Sequence, residues 1–201
     1  SKNPLSNSNL FAQLFSAISH KQVIKIQYYR FDNINNHHDT IVHPYLLKEY
    51  NRRWYLICAS EKDDKLLTFA LDRIISIETL PAHTYKEYDD NLQERYEDIV
   101  GVTLYENKPL EHIVFWVSDE SKHYVMTKPI HESQRYYTHE RETEFRQAYP
   151  MLSNGAFFSV DCIVNYELIR ELMSFGKDLL VLEPQTIKDE IIAKISTNLG
   201  E

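Results

Sequence analysis

Glycine is scarce in this chain, with 4 among 201 residues. Cysteine is scarcer, at 2, and no apolar run approaches the ~20 residues that span a bilayer. Each shortage removes a class of protein. So little glycine, set against 14 tyrosines and 9 phenylalanines, excludes a flexible low-complexity chain and favours β-structure with well-filled faces. Cys58 and Cys162 lie far apart, each in an apolar run. They read as buried free thiols of a reducing cytoplasm, not as a disulfide framework. The opening segment SKNPLSNSNL is polar, with no apolar signal-peptide core and no initiator methionine. It reads as the start of a fragment, and the protein as cytoplasmic and without a membrane partner. G-x-S-x-G, the P-loop and H-E-x-x-H are also absent, so no enzyme is expected. The histidines lack the close Cys/His spacing of a zinc site. His37 and His38 are adjacent, and His112, His123, His131 and His139 are scattered. Neither a metal nor a cofactor is expected.

What is present is a 43% hydrophobic composition, enough for one large domain or two small ones. The net charge of −8 is uneven. Residues 1–80 carry 10 Lys+Arg against 8 Asp+Glu, and residues 81–201 carry 12 against 22. A polyanionic partner should therefore prefer the first part, at a local site.

The hydrophobic rhythm changes along the chain. After a Ser/Asn-rich linker (1–9), apolar residues at 10, 11, 14, 15 and 18 form a helical stripe. QVIKIQYYRF alternates as a strand, DNINNHHD (32–39) reads as a polar turn, and TIVHPYLLKEY as a second strand. Pro44 predicts an edge or a bulge there. RRWYLICAS, LLTFALD and RIISIETL form three further strands, separated by EKDDK and broken near Asp72-Arg73. One helix and five short strands suggest a small barrel over residues 10–80. Residues 81–108 are an acidic connector with a helical turn or two. Residues 109–201 then read βαββαβα, a split βαβ sandwich with its helices on one face of an antiparallel sheet. Asp119 is the expected cap of a helix over DESKHYVMTKP, QRYYTHE (134–140) a strand, and RETEFRQ (141–147) a solvated loop or strand edge. The stripe Leu168, Leu172, Phe175 belongs to a helix core.

NRRWYLICAS (51–60) raises a specific question, since two arginines directly precede a buried-looking strand. Alternation places Trp54, Leu56 and Cys58 on one face, and Arg53, Tyr55 and Ile57 on the other. With Trp54 and Leu56 in the core, Arg53 and Tyr55 point outwards or into a cleft. Pro44-Tyr45 and Asp72-Arg73 can bring a ring and a guanidinium to the same neighbourhood. Rings stack on bases and an arginine fork pairs with phosphate. In the plainer alternative, Tyr45 and Tyr55 are amphipathic strand residues and Arg73 pairs with a nearby acid.

HPYLLKEYNRRWYLICASEKDDKLLTFALDRIISI (43–77) closely resembles the WYL domain of bacterial transcriptional regulators. The resemblance rests on Pro44, the triplet Trp54-Tyr55-Leu56, Phe69 and Asp72-Arg73-Ile74 in this order and spacing. NYELIRELMSFGKDLLVLEP (165–184) resembles the C-terminal extension of such domains. The resemblance implies an α+β chain: an N-terminal helix and a small Sm-like, SH3-type β-barrel, then a ferredoxin-like βαββαβ extension with a C-terminal helix. It also implies DNA binding through an N-terminal winged helix-turn-helix that this chain lacks, and sensing of a single-stranded nucleic acid fragment or nucleotide. Tyr55 and Arg73 match the ligand face of the family, with His43 and Tyr45 on the adjoining strand. Arg53 completes the expected ligand-binding set. One departure is Leu67, at a position where the family often has arginine. Arg52 or Arg53 replaces that charge only if the turn folds over the site. The favoured function is a sensor whose ligand changes how two subunits of a homodimer meet. The alternative is a dimerisation or protein-interaction module with no small ligand.

Overall fold

The computed structural model describes residues 8–30, 33–89, 91–152 and 154–199. The chain forms two compact units, residues 1–94 and 95–201. All but two residues of the expected linker 1–9 lie outside the described residues.

In the first unit, helix α1 (Ser8–Ser19) precedes strands β1 (Ile24–Arg30), β2 (Asn33–Tyr50), β3 (Arg53–Ser60), β4 (Leu66–Ala70) and β5 (Ile74–Thr79). A 3-10 turn, Leu71–Arg73, joins β4 to β5. The sheet is antiparallel in the order β4-β3-β2-β1-β5. The helical stripe is realised as Leu10, Leu14 and Ala17, packed with Ile24, Ile26, Val42, Leu56 and Cys58. Phe15 falls off that stripe and is 60% exposed. Residues 33–39 are not the polar turn expected for 32–39. They begin the 18-residue β2 and pair with β1, for instance Tyr28 with His38. Cross-strand pairing there overrides a polar composition. No ladder joins β4 to β5 among the described residues, so the sheet is open where a closed barrel was expected. The three-residue turn passes the chain directly from one edge strand to the other, leaving no hairpin between them.

Pro44 marks a bulge, as expected. Pro44 pairs with Cys58 and Leu46 with Ile57, so Tyr45 is the extra residue, and it lies where β2 has run past its pairing with β1, which ends at Val42. The arginines ahead of β3 have separate roles. Asn51 and Arg52 both have positive φ, 49° and 62°, which is what a two-residue hairpin of the primed type requires. Asparagine tolerates this conformation; arginine does not.

In the second unit, helix α2 (Leu92–Glu97) spans the boundary in sequence. Beyond it come β6 (Leu110–Val117), α3 (Lys122–Thr127), β7 (Arg135–Tyr136), α4 (His139–Ala148), β8 (Ala156–Ile163), α5 (Tyr166–Ser174), β9 (Leu179–Glu183) and α6 (Gln185–Leu199). The sheet order is β7-β8-β6-β9. β8 lies between β6 and β7, and β6 between β8 and β9, so each crossover is a split βαβ step. Four expectations need correction. Residues 141–147 lie in helix α4, because Phe145 and Tyr149 pack with Val114, Tyr137 and Phe157. The helices therefore do not share one face of the sheet: Phe115 and Phe158, on the pleat opposite Val114 and Phe157, are equally buried. The strand expected over 134–140 shrinks to Arg135–Tyr136. Asp119 does not cap α3. Ser121 precedes that helix, and Asp119 pairs with Lys122 instead.

Asn165 anchors the start of α5. Its Oδ1 accepts from the Leu168 amide at 2.9 Å, while Nδ2 donates to the carbonyls of Val100 (2.7 Å) and Thr103 (2.9 Å). One buried side chain thus caps a helix and fixes the loop before β6. Replacing Arg52 by glycine relieves the hairpin and should stabilise the first unit by about 0.5–1 kcal/mol. Denaturant unfolding of the two chains checks this.

Candidate functional site

The pleat of β3 separates core from surface. Trp54 meets Phe11 of α1 edge-on, with centroids 4.9 Å apart. Leu56 and Cys58 continue the same face into the core. Arg53 and Tyr55 lie on the opposite face. Ile57 on that face is fully buried, so the face is open only at its Arg53 end.

Two arginines and three tyrosines gather around the 3-10 turn. Arg53 directs its fork at Asp72, with Nε 3.0 Å and Nη2 2.8 Å from Oδ1, and Nη2 2.8 Å from Oδ2. The Arg53 guanidinium carbon is 6.0 Å from the Tyr55 ring centroid. Arg73 donates from Nε and Nη2 to the Tyr29 carbonyl, both at 3.2 Å. It lies 4.6 Å from the Tyr28 ring centroid. The Tyr29 hydroxyl donates back to the Asp72 carbonyl at 3.2 Å. Burial raises the Tyr28 phenol above its usual value, partly opposed by the nearby Arg73. The strands dictate this grouping: Tyr28 pairs with Ile74, directly after the turn, and Tyr55 with Ala70, directly before it. Arg53 and Arg73 differ in partners. Arg53 and Asp72 keep 30% and 49% of their side-chain surface in solvent, whereas Arg73 is tied to main chain.

His43 and Tyr45 are not part of this cluster. They sit at the β2 bulge under residues 83–88 of the connector, which fold back on the strand. Tyr85 OH donates to the Pro44 carbonyl at 2.8 Å, and Tyr45 OH to the Lys86 carbonyl at 3.1 Å. The Lys86 amide donates to His43 Nδ1 at 3.2 Å. Tyr45 also meets the Tyr85 and Tyr88 rings, at 6.0 and 5.5 Å. His43 has no exposed surface. Its Nε2 has no hydrogen-bond partner among the described residues, a cost of roughly 1–3 kcal/mol for a buried polar group. Burial lowers the His43 pKa, with Lys86 and His83 acting in the same sense and Glu61 and Asp64 opposing. Burial raises the Tyr45 phenol and pushes Tyr85 up to about 12.

The five expected residues thus divide into Arg53, Tyr55 and Arg73 at the turn, and His43 and Tyr45 beneath the connector. Sequence reasoning missed Tyr28, Tyr29 and Asp72 as members of the first group, and Tyr85, Lys86 and Tyr88 as covers of the second. The doublet Tyr28-Tyr29 beside Arg30 was a usable signal; the fold-back of an acidic connector had none. Leu67 packs against the core and Arg52 stays exposed in its hairpin. The cation beside Arg73 comes from Arg53, through its pairing with Asp72 and without folding of the turn. Among the described residues no group of three or more His, Cys, Asp or Glu is placed to hold a metal ion. No helix there is long and apolar enough to cross a membrane.

A WYL domain matches residues 9–79 and a WCX domain residues 109–197. The chain thus carries a WYL domain followed by a WCX domain. Among solved structures, the WYL–WCX chain is similar to proteasome accessory factor B/C (PafBC) of Arthrobacter aurescens. That match has 14% identity and a TM-score of 0.38, covering 98% of this chain and 28% of that one. It is also similar to a CRISPR Cas-related protein, with 11% identity and a TM-score of 0.45, covering 96% of this chain and 52% of that one. The WYL–WCX chain therefore spans about a quarter and about half of the lengths of these structures. No curated protein matches it.

The arginines of the WYL domain should respond differently to truncation. Arg73→Ala strands the Tyr29 carbonyl and should cost the first unit about 1–3 kcal/mol. Arg53→Ala breaks a solvent-exposed pair and should cost less than about 1 kcal/mol. Chemical denaturation of both variants measures the contrast.

Proposed function

We propose that this WYL–WCX chain is the ligand-sensing region of a bacterial DNA-binding transcriptional regulator, and that its guest is a nucleotide or a short single-stranded nucleic acid. In this reading residues 10–80 are the sensing domain, built on the open five-stranded sheet, and residues 81–108 connect it to a ferredoxin-like extension (109–201). A winged helix-turn-helix N-terminal to the chain binds DNA. The protein works as a cytoplasmic homodimer without enzymatic activity, and its guest alters how the two subunits meet.

One observation carries the reading: two guanidinium groups and three phenol rings share the 3-10 turn, with Arg53 and Asp72 open to solvent. A phenol face stacks on any base and contributes about 1–3 kcal/mol per base. An arginine fork suits a phosphate better than any other side chain does. Asp72 already occupies that fork, so a phosphate entering here replaces a carboxylate. In a chain of net charge −8, this competition makes binding weak and strongly dependent on salt. Tyr45 and His43 contribute to this guest's site only if residues 83–88 move.

A second reading has its own observation. On the second unit, Leu180, Ile192 and Ile195 are exposed beside an apolar groove of about 490 Å³. A surface of this kind suits a dimerisation or protein-interaction module with no small ligand.

Fluorescence anisotropy with a labelled short single-stranded oligonucleotide at low salt separates the two. In the sensor reading the chain binds and loses affinity as salt rises. Arg53→Ala or Tyr55→Ala weakens binding about tenfold, or ~1.4 kcal/mol, and Asp72→Asn strengthens it several-fold. Absence of binding by all four chains, with dimerisation intact, supports the interaction module.

A further inference from the structure

We propose that residues 83–88 are a latch, held shut over the β2 bulge by the neutral ring of His43 and released when that ring gains a proton. The segment has no strand ladder, so a small set of contacts holds it. Three hydrogen bonds join it to β2: Tyr85 OH to the Pro44 carbonyl, Tyr45 OH to the Lys86 carbonyl, and the Lys86 amide to His43 Nδ1. Ring contacts of Tyr85 with His43 (5.8 Å) and Tyr45 (6.0 Å) fill the space between. Ion pairs pin the segment at the edges. Lys86 Nζ is 2.8 Å from Asp64 and His83 Nδ1 is 2.7 Å from Glu61, both in the turn after β3, while Lys21 pairs with Glu87.

His43 is the buried imidazole in the middle of this contact. Its Nδ1 accepts the Lys86 amide, so the proton of the neutral ring sits on Nε2, which is buried without a partner among the described residues. A second proton, on Nδ1, turns the acceptor into a donor facing another donor, and leaves a cation in a site with no exposed surface. Undocking relieves both, because water can then reach the ring. The charged groups facing the ring do not reverse this. Glu61 and Asp64 favour the cation, Lys86 and His83 oppose it, and burial, the largest influence, opposes it too. A docked ring with a lowered pKa takes its proton after a released, hydrated ring does. The latch is therefore most stable above the ordinary histidine value of ~6.5 and loses stability as pH falls through and below it.

Release would have two consequences. It would uncover Tyr45, and it would free the whole chain between β5 and α2. Those residues, 80–91, reach about 40 Å when extended, so the latch sets the length of free chain at the C-terminal end of the WYL domain. The inference does not depend on a guest at the Arg53–Arg73 turn.

Amide hydrogen exchange on the 201-residue chain tests the latch, with each rate divided by the intrinsic rate at the same pH. Protection of the Lys86 amide and of segment 83–88 should fall at least tenfold from about pH 7.5 to about pH 5.5. His43→Gln, which keeps an acceptor but cannot titrate, should abolish that dependence. Tyr85→Phe should lower protection at both pH values while the Leu56 and Ile57 amides stay protected. Equal protection at the two pH values in the parent chain would overturn the proposal. So would the same fall in His43→Gln, or a simultaneous loss of protection in β3.

Discussion

Arg73, directly before β5, donates to the main-chain carbonyl of Tyr29 on the adjoining strand β1 and lays its guanidinium against Tyr28. The candidate site depends on this contact. It fixes the turn Leu71–Arg73 against β1, and the fixed turn presents Asp72 to Arg53 and receives the Tyr29 hydroxyl. The Arg73 contact is to a neutral carbonyl and a ring, whereas the Arg53 contact is to a solvated carboxylate that another anion can replace. The cluster therefore combines a structural guanidinium with an exchangeable one. The proposed binding site at the turn rests on that difference more than on the number of rings.

The second unit is built differently. Its sheet is buried on both sides, and its loops are held by polar side chains sunk into the core. Glu167 accepts from the Val102 amide and the Thr103 hydroxyl. Its side chain lies where a Cβ on Gly101 would come within 2.6 Å, and the positive φ of Gly101, 81°, suits no other residue as well. On the outside of this unit, Ile192 and Ile195 of α6 are exposed.

Much of this was legible in the residues. The 3.6-residue stripe of α1, the alternation of β3 with Trp54 inward, the break at Asp72-Arg73 and the helix starting at Tyr166 all come from local patterns that tertiary packing reinforces. The failures share a cause. Residues 33–39 look like a turn until β1 pairs with them. RETEFRQ looks solvated until Phe145 finds Phe157 across the sheet. The connector looks inert until Tyr85 and Lys86 dock on β2. In each case the deciding partner lies in another element, and no periodicity records it. His43 and Tyr45 were grouped with Arg53 and Arg73 because they lie on adjoining strands. The bulge at Tyr45 and the connector lying over it take them out of that group.

The central claim is that an anionic, stackable guest seats at the turn between β4 and β5. Its most direct test is amide and side-chain chemical-shift mapping of the isotope-labelled chain, titrated with a short single-stranded oligonucleotide at low salt. The account predicts perturbations concentrated at Tyr28, Tyr29, Arg53, Tyr55, Asp72 and Arg73. Perturbations confined to residues 109–197, or none at saturating oligonucleotide, would contradict it.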